Sequence, residues 1–303
     1  MKKKSHITIT GVTGFVGSNL FEYFLDENIE INACNLRNPN WITEIDLKST
    51  AIIHLAGIAH DLKNSSNSEQ YFKINTKLTQ ELFDFFLASN CRDFIFFSSV
   101  KAVADKSEAV VTEEMVPTPK TAYGQSKQLA EQYILNKTLP KGKRVFIIRP
   151  SMIHGPGNKG NLNLLYQLVS KGIPWPLGAF HNQRSFCSID NVCYVVNQIL
   201  EREDIPSGVY NLADDVTVST NELIEIIGAT TNKKAKIISI SKKVINTIAK
   251  IGNFLHLPLN TERLDKLTEN FMVSNTKIKT VLGIEKLPLS AKEGLTKTIK
   301  SFN

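Results

Sequence analysis

A glycine-rich turn set between an apolar strand and a helix, close to the start of the chain, constrains this sequence most. Residues 6–10 (HITIT) read as a strand, Gly11-Val12-Thr13-Gly14-Phe15-Val16-Gly17 follows at once, and a helix is expected from about Val16 to Phe24. Glycines there permit a tight turn and let a pyrophosphate approach the backbone closely. The helix behind them offers unpaired N–H groups and the positive end of its dipole to that phosphate. Alone, the same pattern also serves as an ordinary strand–helix turn, so its meaning depends on the rest of the chain.

The rest alternates. Further strands are expected over 30–34, 51–55 (AIIHL), 93–97 (DFIFF) and 144–148 (RVFII), and helices over 77–88 and 122–135. Apolar strands alternating with helices imply a parallel, doubly wound α/β sheet. After Pro150 the composition changes. Residues 153–184 are rich in Gly, Pro and Asn and are expected to be loops bordering a pocket, followed by helices over 191–203, 221–227 and 242–255 and a strand over 209–212. No repeat or flexible linker separates the halves, so a second, smaller domain is expected to interleave with the first. At 303 residues the chain suits one large or two moderate domains.

Composition excludes several classes. Hydrophobic residues make up 42% of the chain and charged residues 21%, which rules out wholesale disorder. Cys34, Cys91, Cys187 and Cys193 are scattered without CxxC pairs, which argues against a disulfide framework or a cysteine-rich metal site and fits a reducing cytoplasm. No apolar run reaches the ~18 residues a membrane helix needs. Met1-Lys2-Lys3-Lys4 has the charge of a signal-peptide start, but no cleavage pattern follows, so a first strand is expected instead.

Two further motifs carry chemistry. Tyr123-Gly124-Gln125-Ser126-Lys127 places a phenol and an ammonium one helical turn apart. A tyrosine titrates near pH ~10, and a neighbouring ammonium is expected to lower that value. Phe96-Phe97-Ser98-Ser99 ends a strand at the edge where doubly wound sheets bind ligands, and a hydroxyl there suits a reacting substrate oxygen. Each is weak alone, since Tyr–Lys spacings are frequent and serines commonly end strands.

In this order and spacing the motifs are specific. The sequence resembles the extended short-chain dehydrogenase/reductase family, also called the NAD-dependent epimerase/dehydratase family, over nearly the whole chain. The likeness includes GVTGFVG (11–17), HLAG (54–57), Asn75, FFSSVK (96–101), YGQSK (123–127), RPSMIHGPG (149–157), RSFCSIDN (184–191) and SNTKIKTVLG (274–283). It implies a Rossmann-type domain over 1–152 plus about 186–215, and a nucleotide-sugar domain over 153–185 and 216–303. It also implies Tyr123 as the acid/base, Lys127 as its partner and a holder of the nicotinamide ribose, and Ser99 as the hydroxyl on the same sugar oxygen. Cofactor contacts are expected from Gly11, Gly14, Phe15, Val16, Gly17, Asn35, Arg37, Leu55, Ala56, Gly57 and Pro150, together with Tyr123 and Lys127. Arg184 matches the family arginine that grips the nucleotide diphosphate, a role suited to a planar charged fork. The stretches around 149–165 and 174–186 are similar to bacterial UDP-sugar 4-ketoreductases and 4-epimerases of surface polysaccharide synthesis, which brings Ser99, Asn161 and Leu177 to the sugar-nucleotide site. No metal is expected, and a homodimer is.

The sequence departs from the pattern after the second strand. An acid that binds the adenosine ribose is replaced by Cys34-Asn35-Leu36-Arg37, and the connection 35–50 is too short for the helix and strand usual there. Loss of the acid and a nearby arginine favour NADP over NAD. Reduction of a 4-keto sugar is preferred to 4-epimerisation; a non-catalytic cofactor-binding regulator is the alternative of another class.

The net charge is +7, and it is uneven. Residues 233–303 hold 14 Lys/Arg against 5 Asp/Glu, so that stretch carries +9 and the remainder −2. The lysines alternate with apolar residues and lack stacking aromatics, so a solvated face is expected, not a nucleic-acid site. Residues 242–255 (KKVINTIAKIGNFL) place Val244, Ile245, Ile248, Ile251 and Leu255 near one face, with lysines flanking. A helix packed on its own domain is the expected reading, and weak contact with an anionic membrane the other.

Overall fold

The computed structural model describes residues 6–27, 29–58, 68–158, 161–255 and 260–302, and of Asn161 only the backbone. The lysine cluster 2–4 lies outside the described residues. Strands are β1 (His6–Thr10), β2 (Glu30–Cys34), β3 (Ala51–His54), β4 (Asp93–Phe97), β5 (Arg144–Pro150), β6 (Met152–His154), β7 (Phe186–Ser188) and β8 (Gly208–Leu212). Helices are α1 (Phe15–Asp26), α2 (Ser68–Tyr71), α3 (Leu78–Ala88), α4 (Ala122–Leu135), α5 (Asn161–Ser170), α6 (Ile189–Glu201), α7 (Thr220–Thr230), α8 (Lys242–Phe254), α9 (Thr261–Thr268), α10 (Thr276–Leu282) and α11 (Ala291–Lys300).

Six strands form one parallel sheet in the order β2-β1-β3-β4-β5-β8. The central strands β3, β4 and β5 are rich in apolar residues because both their faces are covered, whereas the edge strand β2 (EINAC) is partly exposed. Ile7, Ile9, Ile53, Ile95, Phe97, Phe146 and Ile148 face α1 and α6; Ile52, Phe94, Phe96 and Ile147 face α3 and α4. The chain is therefore a Rossmann-type, doubly wound α/β fold.

A second apolar core gathers Trp175, Leu177, Phe186, Leu223, Ile227, Ile245, Leu264 and Leu295 from α7, α8, α9, α11 and the segments between. The short parallel pair β6-β7 leads from the large sheet toward it. Within 153–184, expected to be loops, residues 161–170 form α5: Leu162, Leu165 and Val169 recur at helical spacing and pack into this core.

The shortened connection after β2 holds one turn of 3₁₀ helix, Trp41–Glu44, where Trp41 is buried edge-on against Phe85. β2 is left as a sheet edge. Glu44 accepts hydrogen bonds from the Asn35 N–H (3.0 Å) and the Asn38 side chain, which hold its carboxyl below the usual range. Asn35 Oδ1 in turn accepts from the Arg37 N–H (3.2 Å). These bonds fix the path of residues 35–38.

Candidate active site

The C-terminal ends of β1, β2 and β3 open onto a cleft of about 820 Å³. Its lining includes Gly11, Gly14, Asn35, Arg37, Leu55, Ala56 and Gly57, seven of the residues expected from the sequence. Gly11 has φ +74°, and a Cβ there would lie 2.6 Å from the Ala56 nitrogen, so the turn admits no side chain. A Cβ on Gly17 would strike the Gly11 carbonyl, so that glycine packs α1 against the turn. No side chain caps the start of α1 at Gly14, so its first N–H groups are free to face an anion. A narrow, side-chain-free turn beneath an uncapped helix end fits a dinucleotide pyrophosphate.

Other expected cofactor residues sit elsewhere. Phe15 and Val16 pack on the first core, and Pro150 ends β5 beside Leu212, away from the cleft lining. Lys73, Ile74, Lys77, Leu78 and Glu81 line the opposite wall without having been singled out in the sequence. They lie on and just after a π-helical turn, Phe72–Lys77, that joins α2 to α3. The visible sign in the sequence is Lys73 and Lys77 four apart, whereas the apolar helical period begins only at Leu78.

The start of α4 lies beside this cleft, with Lys127 against Gly57 of its lining. Thr121 caps that helix, accepting from the Gly124 N–H (3.2 Å), and Asp105 accepts from the Thr121 hydroxyl (2.7 Å) and the Lys120 N–H (2.6 Å). A Cβ on Gly124 would run into the Lys101 carbonyl and lie 2.8 Å from Pro119. Glycine here lets the first turn of α4 seat against the 3₁₀ turn Val100–Ala102, which Ser99 caps. That contact brings the Ser99 hydroxyl close enough to the Tyr123 phenol to pull its pKa down. Ser98, its neighbour, has a buried hydroxyl with no partner among the described residues.

Burial raises the Tyr123 pKa above the usual phenol value, and the nearby Ser99 hydroxyl only opposes that. The expected lowering by Lys127 is not seen in this geometry. The Lys127 ammonium is buried over the Phe96 ring and donates to the Phe97 carbonyl (2.8 Å). Burial brings it down to about 8, with Glu131 opposing the shift. An ammonium has three donors, so capacity remains for a ribose hydroxyl. A Cβ on Gly57 would come within 3.3 Å of Nζ and 2.9 Å of Asn75 Oδ1, which places Lys127 against the cleft.

Asn75 is central to the support of this end. It accepts from the Ile58 N–H (2.8 Å) and donates to the Ile58 carbonyl (3.1 Å) and to Ser126 (3.0 Å), whose hydroxyl reaches the Tyr123 carbonyl (2.8 Å). Behind it, Thr79 bonds the Asn75 carbonyl (2.8 Å), and His54 bridges Thr79 (2.9 Å) and Thr10 (2.7 Å). Burial holds His54 down to about 3, so it stays neutral.

Arg184 lies in a strand-like segment bridged to Val218 and Phe271, and donates to the Lys266 carbonyl (2.6 Å). Lys101 stands over the Phe271 ring at 4.5 Å. Burial lowers the pKa of both cations, Arg184 adds to the lowering at Lys101, and Glu269 opposes both shifts. Asp105 also opposes the shift at Lys101, whose ammonium donates to the Asp105 carbonyl. The Leu177 side chain, expected at the sugar site, is instead a core residue. It shares its inward face with Trp175 two positions earlier, as extended backbone dictates. The side chain of Asn161 lies outside the described residues.

The family model of the "NAD dependent epimerase/dehydratase family" matches residues 7–213. The chain belongs to this family. Among its relatives is a UDP-glucose 4-epimerase from Vibrio cholerae, 28% identical across 99% of this chain and 96% of the relative. A GDP-6-deoxy-D-mannose reductase from Pseudomonas aeruginosa is 25% identical across 72% and 78%. Among solved structures, MoeE5 in complex with UDP-glucuronic acid and NAD superimposes with a TM-score of 0.77 at 19% identity, covering 98% of both chains, which shows the shared fold. The family is one of NAD(P)-dependent nucleotide-sugar epimerases and reductases. Among the described residues no helix is long and apolar enough to cross a membrane, and no group of three metal-ligating side chains occurs.

Proposed function

We propose that this protein is a 4-ketoreductase that reduces a UDP-4-keto-6-deoxy-N-acetylhexosamine with NADPH, in the cytoplasm and as a homodimer, for surface polysaccharide synthesis. In this reading 1–152 with about 186–215 hold the cofactor, and 153–185 with 216–303 cover the sugar nucleotide. The observation that carries it is the meeting of Ser99 with Tyr123, whose pKa it pulls down, while Lys127 on the same helix stands against Gly57 of the cleft lining.

The nicotinamide, when bound, supplies the hydride. The protein's own groups handle the oxygen. Ser99 orients the C4 carbonyl oxygen, and Tyr123 donates its proton to the oxygen as charge develops there. Lys127 holds the ribose, and the Ser99 hydroxyl favours the phenolate that remains. Burial keeps the free phenol protonated, which suits a reaction that begins by giving a proton away. Arg184, with Lys101 nearby, binds the diphosphate. Arg37 on the cleft lining, with no acid at Cys34 or Asn35, favours the 2′-phosphate of NADPH; Lys73 and Lys77 on the far wall add to that preference.

The second reading is a 4-epimerase, favoured by the near full-length likeness to the Vibrio cholerae relative. It starts by oxidising C4 and keeps its cofactor. Purified protein given a UDP-4-keto-6-deoxy-N-acetylhexosamine is expected to consume NADPH one for one with sugar reduced. Interconversion of UDP-glucose and UDP-galactose without added NADPH would establish the epimerase instead. Binding of NADPH with no turnover of any keto-sugar would leave a regulator. Tyr123→Phe is expected to cut turnover by about 10²–10⁴ while cofactor affinity stays near normal. Arg184→Ala is expected to raise KM for the sugar nucleotide with kcat less changed; an unaltered KM removes Arg184 from diphosphate binding.

A further inference from the structure

Helix α8 buries only one side. Ile245, Ala249 and Gly252 face the second core. Val244, Ile248, Ile251 and Leu255, spaced four, three and four apart, form an adjoining stripe that is 49%, 41%, 50% and 56% exposed, and Phe254 beside it is 84% exposed. A stripe at this spacing normally belongs against a core. Here it is outside, on a helix too short to cross a bilayer.

Charge narrows the choice of occupant. Residues 231–261 contain six lysines and no Asp or Glu. Lys242, Lys243 and Lys250 are exposed on α8, and Lys233, Lys234 and Lys236 on the segment before it. The helix packed on α8, α9, does carry acids, but Glu262 is paired with Lys266 (2.7 Å) and Asp265 with Lys106 (3.2 Å). The face is thus apolar and uniformly basic. A second copy of the chain docked on the same face would oppose lysines to lysines across a two-fold axis. A layer of anionic headgroups over hydrocarbon complements both properties: the stripe enters the acyl boundary, and the lysine stems let the ammonium groups reach the phosphates.

We propose that α8 is a peripheral membrane anchor that lays the second core of this protein on an anionic bilayer. The inference is independent of the reaction assigned above, since its readout is binding to lipid.

The test is flotation of the full chain with vesicles of phosphatidylglycerol and phosphatidylethanolamine, with pure phosphatidylcholine vesicles in parallel. The chain is expected to float with the anionic vesicles at low salt, to be released as salt rises, and to ignore phosphatidylcholine. A double variant Ile248→Asn/Ile251→Asn and a double variant Lys243→Glu/Lys250→Glu are each expected to weaken vesicle binding by at least about tenfold. Their unfolding midpoints are expected to stay at the wild-type value, because all four side chains are exposed. No flotation with anionic vesicles at low salt, or flotation equal in the variants, overturns the proposal. So does a concentration-dependent oligomer that Ile248→Asn/Ile251→Asn dissociates while vesicles bind neither form.

Discussion

Lys127 shows how one side chain can act on activity and on stability in opposite directions. Burial over Phe96 brings its ammonium from 10.5 down to about 8. Below about pH 8 the folded and unfolded chains both hold the proton, and the folded state carries a buried charge. Between about 8 and 10.5 the unfolded chain still holds a proton that the folded chain has released. This group's contribution to the unfolding free energy therefore rises with pH across that window. In the role proposed for Lys127 the charged form is the active one, so activity is expected to move the other way. The pH profile of kcat/KM is expected to carry an alkaline limb with an apparent pKa of about 8, and Lys127→Met to remove most of the activity along with the limb. A profile flat through the whole alkaline range would detach Lys127 from the reaction. In the sequence, the spacing of Tyr123 and Lys127 was plain, but not the sign of the tyrosine's shift. That sign depends on burial, which is decided by residues far away in the chain.

At the scale of the element, the helix carrying Tyr123 and the turn carrying Ser99 meet only because residue 124 lacks a side chain. A methyl group there collides with the Lys101 carbonyl and with Pro119. Gly124→Ala is expected to push the first turn of α4 outward, at a cost of about 1–3 kcal/mol in stability. It is also expected to lower kcat far more than an exposed substitution on the same helix, such as Leu129→Ala. Comparing kcat and chemical denaturation for the two variants checks this. Legibility at this scale followed burial. AIIH, DFIFF and RVFII stand out because strands covered on both faces lack the polar alternation of a half-exposed strand, polar residues being confined to their ends (His54, Asp93, Arg144). β6 (MIH) and β7 (FCS) are three residues long and too short to display any period. α11 (AKEGLTKTIK) reads as a polar stretch broken by glycine, yet its start was marked by the Ser290…Glu293 capping box. The glycine is needed where it stands: a Cβ on Gly294 would lie 2.9 Å from Ser188 Cβ and 3.2 Å from His154.

At the scale of the whole molecule, the chain's last helix closes a core begun more than a hundred residues earlier. Leu295 and Ile299 are fully buried among Leu162, Leu223, Ile224 and Phe186, and Thr298 bonds His154 on β6 (2.9 Å). Nearby, Asp214, just after β8 of the large sheet, accepts from the Ser188 N–H (2.9 Å) and the Asn191 side chain (2.8 Å). Asn191 in turn donates to the Leu289 carbonyl (2.8 Å), so the approach to α11 is tied to the edge of the sheet. The two cores are thus joined by buried polar bonds as well as by chain crossings, and a defect in one is expected to propagate to the other. Leu295→Ala removes a buried side chain from the second core and is expected to cost about 2–5 kcal/mol. Because the cores are tied through Asp214 and Asn191, denaturant unfolding is expected to remain a single transition shifted to lower midpoint, with the same slope. Native-state binding of NAD(P) is expected to change little, since α11 packs on α7, β6 and β7, while the KM for the sugar nucleotide rises. A second transition, with the cleft's sheet unfolding at its original midpoint after the C-terminal core has melted, would show that the two cores fold independently.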